Sequence, residues 1–101
     1  MAQDVEGTVY LIHFSRPFSH AVHYAGWAVD VQARLADHRS GRGANLTRHV
    51  VAAGISLELA RIWPARTRRF ERSIKGRGMK PLCPICNPAL AERLEKAPCT
   101  T

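Results

Sequence analysis

One residue spacing in this 101-residue chain places two reactive side chains where they can act together. Arg34 and His38 are four residues apart in a stretch with helical periodicity, so both fall on one helix face and can reach a single site. A guanidinium suits phosphate oxygens, and an imidazole can exchange a proton near neutral pH. Glu71 is a third candidate. It either points towards the body of the domain from a later helix or forms an intrahelical ion pair with Lys75.

The three cysteines offer a different chemistry. Cys83 and Cys86 have the spacing of half a zinc site, Cys99 could supply a third ligand, and a distant histidine or a second chain the fourth. The same spacing occurs in thiol redox sites, but those normally open a helix after a strand, and this pair lies in a late loop. An odd number of cysteines does not form the disulfide framework of a small secreted domain. We expect reduced thiols or a structural zinc ion.

Positive charge is concentrated in the middle of the chain. The whole sequence carries +7, with 15 Lys and Arg against 8 Asp and Glu, and a pI near 10.2. The segment 34–80 alone holds twelve basic residues against three acids. Such a focused positive field favours an extended anionic partner such as a nucleic acid. The predicted phosphate contacts are Arg39, Arg42, Arg48, Arg68, Arg69, Arg72 and Lys75.

The length leaves room for one small domain around a modest core. We expect that domain over residues 1–80, followed by a C-terminal extension over residues 81–101. No window approaches the roughly 20 apolar residues of a membrane-spanning helix, and residues 1–7 lack the basic and apolar parts of a signal peptide. We therefore expect a soluble cytoplasmic protein with no membrane partner.

A hairpin followed by a helix must position the first candidate residues. Residues 8–14 form a β-branched and aromatic run that predicts a strand, with turn material at residues 15–17. Residues 21–27 predict the second strand of a hairpin, in which Gly26 indicates a bulge or a close backbone approach. The spacing from residue 29 to residue 39 then changes to the period of a helix.

The rest of the chain predicts one more strand and further helices. Pro64 is expected to end the strand, and Gly76 to follow the end of the helix that carries Glu71. The predicted elements are helices over 45–53, 66–75 and about 89–96 and a strand over 56–63. The fold class we expect is a small α+β domain, with a mixed or antiparallel three-stranded sheet flanked by helices.

Thr-Val-Tyr ends at Tyr10 in the first predicted strand, and Tyr-Ala-Gly begins at Tyr24 in the second. Arg34 follows Tyr24 by ten positions, and His38 follows Arg34. With these motifs in this order, the chain resembles the GIY-YIG nuclease superfamily over roughly residues 7–76. The family shows the same spacing for its essential arginine and has a histidine after it.

Two further segments carry the same resemblance. Ser-Gly-Arg-Gly-Ala-Asn over residues 40–45 is similar to the small single-domain members of the family. Phe-Glu-Arg-Ser-Ile-Lys over residues 70–75 resembles the segment that supplies the metal-binding glutamate, here Glu71. Each motif alone is weak, but five motifs in the family's order are a specific signal.

The resemblance implies a divalent-metal-dependent endonuclease that hydrolyses phosphodiester bonds in DNA. Glu71 would hold Mg²⁺ or Mn²⁺, and Arg34 would stabilise the charge on the phosphoryl group. Tyr10 would activate water, and Tyr24 is the second candidate for that role. A free phenol has a pKa of about 10, so half-ionising Tyr10 near pH 7 requires about 4 kcal/mol. The alternative is that Tyr10 acts as a hydrogen-bond relay, with Tyr24 or His38 sharing the proton transfers.

Two other functions fit the same sequence. One is a nucleic-acid-binding module that keeps this fold but lacks turnover. The other is a redox or zinc-stapled interaction protein, for which Cys83→Ser rather than Tyr10→Phe would remove the activity. A domain of this size reads few base pairs, so target selection would come from DNA shape, a homodimer or a partner protein.

Overall fold

The structure is a computed structural model that describes residues 5–96. Its elements follow in the order β1 (Gly7–Phe18), β2 (Ala21–Ala28), α1 (Val31–Arg39), α2 (Asn45–Ala52), β3 (Leu57–Arg66), α3 (Arg68–Arg77) and α4 (Pro88–Lys96), with a 3-10 turn at Lys80–Leu82. Within the described residues, the strands form one antiparallel sheet in the order β2-β1-β3. The predicted α+β fold with a three-stranded sheet flanked by helices is confirmed, and the sheet is antiparallel.

The predicted hairpin is present, but its first strand is longer than expected. β1 does not end in a turn at residues 15–17; it continues to Phe18, and the turn lies at Ser19 and His20. The pairing of β1 with β2 is irregular between His13 and Phe18. Pro17 lies inside that irregular stretch, where its missing N–H interrupts no regular ladder.

Two other predicted boundaries were also wrong. Pro64 does not end β3, because β3 is an edge strand of the described sheet and an edge strand tolerates a residue that lacks an N–H donor. α3 runs over Arg68–Arg77, so Gly76 lies inside the helix. The chain leaves α3 at Gly78, whose φ of 86° is a left-handed conformation that glycine adopts without strain.

Side chains alternate across β1 and divide the buried residues between the two faces of the sheet. One cluster packs against α1 and α2 and contains Tyr10, Ile12, Phe14, Leu35 and Val50. The other packs against α3 and the C-terminal segment and contains Val9, Leu11, Ala25, Ile74 and Cys83. Successive residues of β1 therefore pack on opposite faces of the sheet.

The helices are short. α3, with 10 residues, has about half the length that crosses a bilayer. Among the described residues, no helix combines the length and the apolar character that spanning a membrane requires.

Candidate active site and metal cluster

Four of the predicted site residues line one cleft. Tyr10 comes from β1, Tyr24 from β2, Arg34 from α1 and Glu71 from α3, and they surround a cavity of about 330 Å³. The other residues that line this cavity are Gly26, Trp27, Ala28 and Arg68. The fold thus brings together two phenols, a guanidinium and a carboxylate that lie far apart in the sequence.

Tyr10 reaches the cleft because the residue opposite it in β2 is a glycine. Tyr10 pairs with Gly26 in the sheet register, and its ring and hydroxyl occupy the space that a Cβ atom at Gly26 would need. The tyrosine is 1% exposed. The bulge or close backbone approach predicted at Gly26 was wrong: the pairing is regular there, and the Tyr10 side chain occupies the space.

Replacing Gly26 by alanine is expected to lower the free energy of unfolding by about 1–3 kcal/mol, because the new methyl group overlaps the Tyr10 ring. Urea denaturation measures the effect. The matched control is Gly76→Ala, since a Cβ there meets nothing within 4 Å and lies in a helix, where alanine is favoured by about 1 kcal/mol. Equal stabilities of Gly26→Ala and the parent would contradict the packing described.

His38 lies behind Tyr10, and a chain of hydrogen bonds fixes its tautomer. Its Nε2 is 2.8 Å from the Tyr10 hydroxyl, and its Nδ1 is 2.6 Å from Thr47 Oγ1. Thr47 donates its single hydroxyl proton to the carbonyl of Ala44 at 3.0 Å, so its oxygen must accept a proton from His38 Nδ1. Nε2 therefore carries the lone pair and accepts from the Tyr10 hydroxyl.

Burial keeps both members of this pair neutral. It raises the pKa of Tyr10 to about 12; Tyr24 and Glu71 add to the rise, and Arg34 opposes it. Burial also lowers the pKa of His38 to about 4, and the positive charge of Arg34 contributes. At pH 7 the site therefore contains a phenol that is hydrogen-bonded to a neutral imidazole.

The depressed pKa of His38 predicts a loss of stability in acid. Between pH 6.5 and pH 4 the unfolded chain binds a proton at His38 that the folded protein excludes, so stability falls as the pH falls. The expected loss over this window is about 3 kcal/mol. Urea denaturation at several pH values measures it, and His38→Gln should show a weaker dependence. Equal pH dependence in the two proteins would contradict the assignment.

The cleft carries charges of both signs. Glu71 forms an ion pair with Lys75, in which Oε2 and Nζ are 2.8 Å apart. The Lys75 ammonium also lies 5.2 Å from the centroid of the Tyr24 ring. The intrahelical pair that the sequence offered as an alternative for Glu71 is therefore present. The same carboxylate also lines the cleft with Arg34, so the ion pair does not remove it from the candidate site. The Tyr24 ring packs edge-on against His38, with centroids 5.1 Å apart.

The predicted phosphate contacts lie in several places. Arg68 lines the cleft, with its guanidinium 4.5 Å from the centroid of the Trp27 ring. Arg39 donates to the carbonyl of Leu57 at 3.1 Å, at the start of β3, so that arginine helps to hold the strand. Arg48 is exposed and donates to a neighbouring side chain of α2. The other exposed arginines of the predicted set are Arg42, Arg69 and Arg72.

A second cluster lies on the sheet face opposite Tyr10. His13 of β1 pairs in register with His23 of β2, and Cys83 and Cys86 approach them from the segment between α3 and α4. One ligand atom from each of these four side chains lies within 4.8 Å of the other three, so the cluster could hold a metal ion. Cys99, the third predicted ligand, lies outside the described residues.

Sequence reasoning missed three residues of these sites: Thr47, His13 and His23. The signal for the histidines was available in principle, because residues at matching positions of a hairpin project from one face of a sheet. Using that signal required the position of the turn and the irregular pairing between His13 and Phe18. No comparable signal marks Thr47, since its role is to accept a hydrogen bond from His38, which belongs to the preceding helix α1.

Comparisons of the chain with protein-family models, with curated proteins and with solved structures found no match.

Proposed function

We propose that the protein is a divalent-metal-dependent endonuclease that hydrolyses phosphodiester bonds in DNA. The observation that carries the proposal is the convergence of Tyr10, Tyr24, Arg34 and Glu71 on one cleft from four different elements. Phosphodiester hydrolysis needs groups that stabilise phosphoryl charge, hold a cation and transfer protons. The residues of the cleft are of the types that meet these three needs.

Glu71 fits a magnesium site to which the protein contributes few ligands. Mg²⁺ keeps several waters and commonly binds one or two carboxylates together with substrate phosphates. The Glu71 side chain is 14% exposed and faces the cleft, and a carboxylate has acceptor sites beyond the one that Lys75 uses. When bound, the cation would polarise the phosphoryl group and stabilise the leaving oxygen.

Arg34 is proposed to bind the non-bridging oxygens of the scissile phosphate. Its ion pair with Asp37 is 4.0 Å long, which exceeds hydrogen-bond length, so a phosphate oxygen can compete for the guanidinium. A planar fork of donors matches two phosphate oxygens at once, and lysine does not reproduce that geometry.

Tyr10 is proposed to relay a proton rather than to act as a phenolate. With a pKa of about 12, an ionised Tyr10 at pH 7 would cost about 7 kcal/mol, which makes a standing phenolate a poor base. The Tyr10 hydroxyl already donates to His38 Nε2. Its oxygen can accept a proton from the attacking water while its own proton passes to His38. Tyr24, which packs against the same imidazole, is the second candidate for this role.

DNA is the proposed substrate because basic side chains, among them Arg68 and Lys75, border the cleft. If about six phosphates are contacted, the affinity for duplex DNA should fall about a thousandfold between about 50 and 200 mM salt. Fluorescence anisotropy with a labelled duplex in EDTA measures this slope. An affinity that does not change with salt would contradict an electrostatic DNA interface.

The proposed activity is tested with a panel of linear, supercoiled and branched DNAs incubated with Mg²⁺, Mn²⁺ or EDTA. We expect cleavage of at least one substrate with either cation and none with EDTA. Binding of DNA without cleavage under every condition would indicate the non-catalytic module instead. Cleavage that persists in EDTA would contradict the metal dependence.

A further inference from the structure

The contacts among His13, His23, Cys83 and Cys86 are difficult to explain as ordinary hydrogen bonds. His13 Nδ1 lies 3.4 Å from His23 Nε2, 3.7 Å from Cys83 Sγ and 3.5 Å from Cys86 Sγ. Cys86 Sγ also lies 3.3 Å from His23 Nε2. A ring nitrogen offers either one proton or one lone pair, so His13 Nδ1 cannot satisfy three partners at once. A cation at the centre of the four atoms satisfies all of them.

Four of the six distances among these atoms match the edges of a zinc tetrahedron. Zinc bonds of about 2.3 Å to sulfur and about 2.05 Å to nitrogen, at tetrahedral angles, separate two nitrogens by about 3.4 Å and a nitrogen from a sulfur by about 3.6 Å. The nitrogen–nitrogen distance in the cluster is 3.4 Å, three of the four nitrogen–sulfur distances are 3.3, 3.5 and 3.7 Å, and all of the ligand atoms lie within 4.8 Å of one another. The side chains are therefore already placed as ligands.

We propose that His13, His23, Cys83 and Cys86 form a closed structural zinc site. Two thiols and two imidazoles are borderline-soft ligands that suit Zn²⁺ and do not suit Mg²⁺, which prefers oxygen. Four protein ligands complete the tetrahedron and leave no open position for water or substrate, as in structural rather than catalytic zinc sites. A cavity of about 570 Å³ that borders His23 and Cys86 gives the ion a route to the site.

The site joins two distant parts of the chain. His13 and His23 belong to the hairpin, whereas Cys83 and Cys86 belong to the segment that follows α3, which has only a short 3-10 turn before α4. Cys83 is fully buried against the sheet face that also packs Ile74 of α3. Zinc would cross-link the hairpin to this segment, which is how small domains with modest cores commonly gain stability. This inference does not depend on the proposed nuclease activity.

The parent protein is tested first, by metal analysis and cobalt substitution. We expect one zinc per chain by plasma mass spectrometry. After chelation, Co²⁺ should bind with the intense visible bands of a tetrahedral site and the near-ultraviolet band of thiolate ligands. Removal of zinc should lower the midpoint of thermal unfolding by about 10 °C or more. An octahedral cobalt spectrum, or a thermal midpoint that chelation leaves unchanged, would overturn the proposal.

Single substitutions identify the ligands, and the chain offers a matched control. Cys86→Ser and His13→Asn each remove one ligand at a half-buried position, and each should weaken zinc affinity by more than about 100-fold. Cys99→Ser should keep one zinc per chain with unchanged affinity, because four ligands are already assigned. Loss of zinc in Cys99→Ser, or retention of parental affinity in both ligand variants, would refute this ligand set. If a variant does not fold, the cobalt spectrum of the parent still decides the geometry and the presence of thiolates.

Discussion

Replacing Glu71 by glutamine is expected to reduce Mg²⁺-dependent DNA cleavage by on the order of 10³-fold. The amide keeps the size of the side chain but loses the negative charge that would hold the cation, and a catalytic metal contributes several kcal/mol to transition-state stabilisation. The ion pair between Glu71 and Lys75 is also lost, but pairs of this kind contribute only about 0.3–0.5 kcal/mol. Single-turnover cleavage at saturating DNA measures the effect.

The matched control for this substitution is Glu58→Gln. Glu58 is an exposed glutamate of β3 that lies outside the cleft, so its replacement makes the same chemical change away from the proposed cation. We expect Glu58→Gln to cleave at the parental rate and both variants to bind DNA in EDTA. Equal cleavage by Glu71→Gln and Glu58→Gln would remove Glu71 from the proposed metal site.

Replacing Tyr10 by phenylalanine is expected to reduce cleavage by about 10²–10⁴-fold, the usual contribution of a general acid or base. The variant loses the hydroxyl that would accept the proton of water, and it leaves His38 Nε2 without the partner that now lies at 2.8 Å. That unpaired nitrogen should also cost about 1–3 kcal/mol of stability. Cleavage is therefore measured at a temperature at which circular dichroism shows the variant folded.

Tyr24→Phe is the comparison that separates the two phenols. Tyr24 packs on the His38 ring, whereas Tyr10 makes the direct hydrogen bond to it. We expect Tyr24→Phe to cleave faster than Tyr10→Phe. The opposite order, with full activity in Tyr10→Phe, would assign the proton relay to Tyr24.

Much of the fold could be predicted because its signals are local. The change from an alternating to a helical period at the end of the hairpin and the β-branched run of β1 each act within a few residues. The misplaced boundaries have a different origin. Pro17 is tolerated because the pairing of β1 with β2 is irregular there, and Pro64 because β3 is an edge strand. Both features exist only in the assembled sheet.

The candidate sites also combine residues that local motifs predict with contacts that only the assembled fold determines. Motifs identified Tyr10, Tyr24, Arg34 and Glu71, and the structure shows how the fold brings them to one cleft. The pairing of His13 with His23 required the true register of the hairpin. If the turn is centred between Phe14 and Ala21, His13 pairs with Val22, and a shift of one residue moves a side chain to the opposite face of the sheet. The observed register at His13 depends both on the turn at Ser19 and His20 and on the irregular pairing between His13 and Phe18, which the sequence left open.

If one cleft binds and hydrolyses a DNA phosphodiester, as proposed, Arg34→Ala should remove most of the cleavage. Nicking of supercoiled plasmid in Mg²⁺ is compared for the parent, Arg34→Ala and Arg48→Ala, an exposed arginine outside the cleft. We expect Arg34→Ala to lose about 10²–10³-fold in rate, while Arg48→Ala changes only DNA affinity. Nicking by Arg34→Ala at the parental rate, or no nicking by the parent, would contradict the proposed nuclease activity of the cleft.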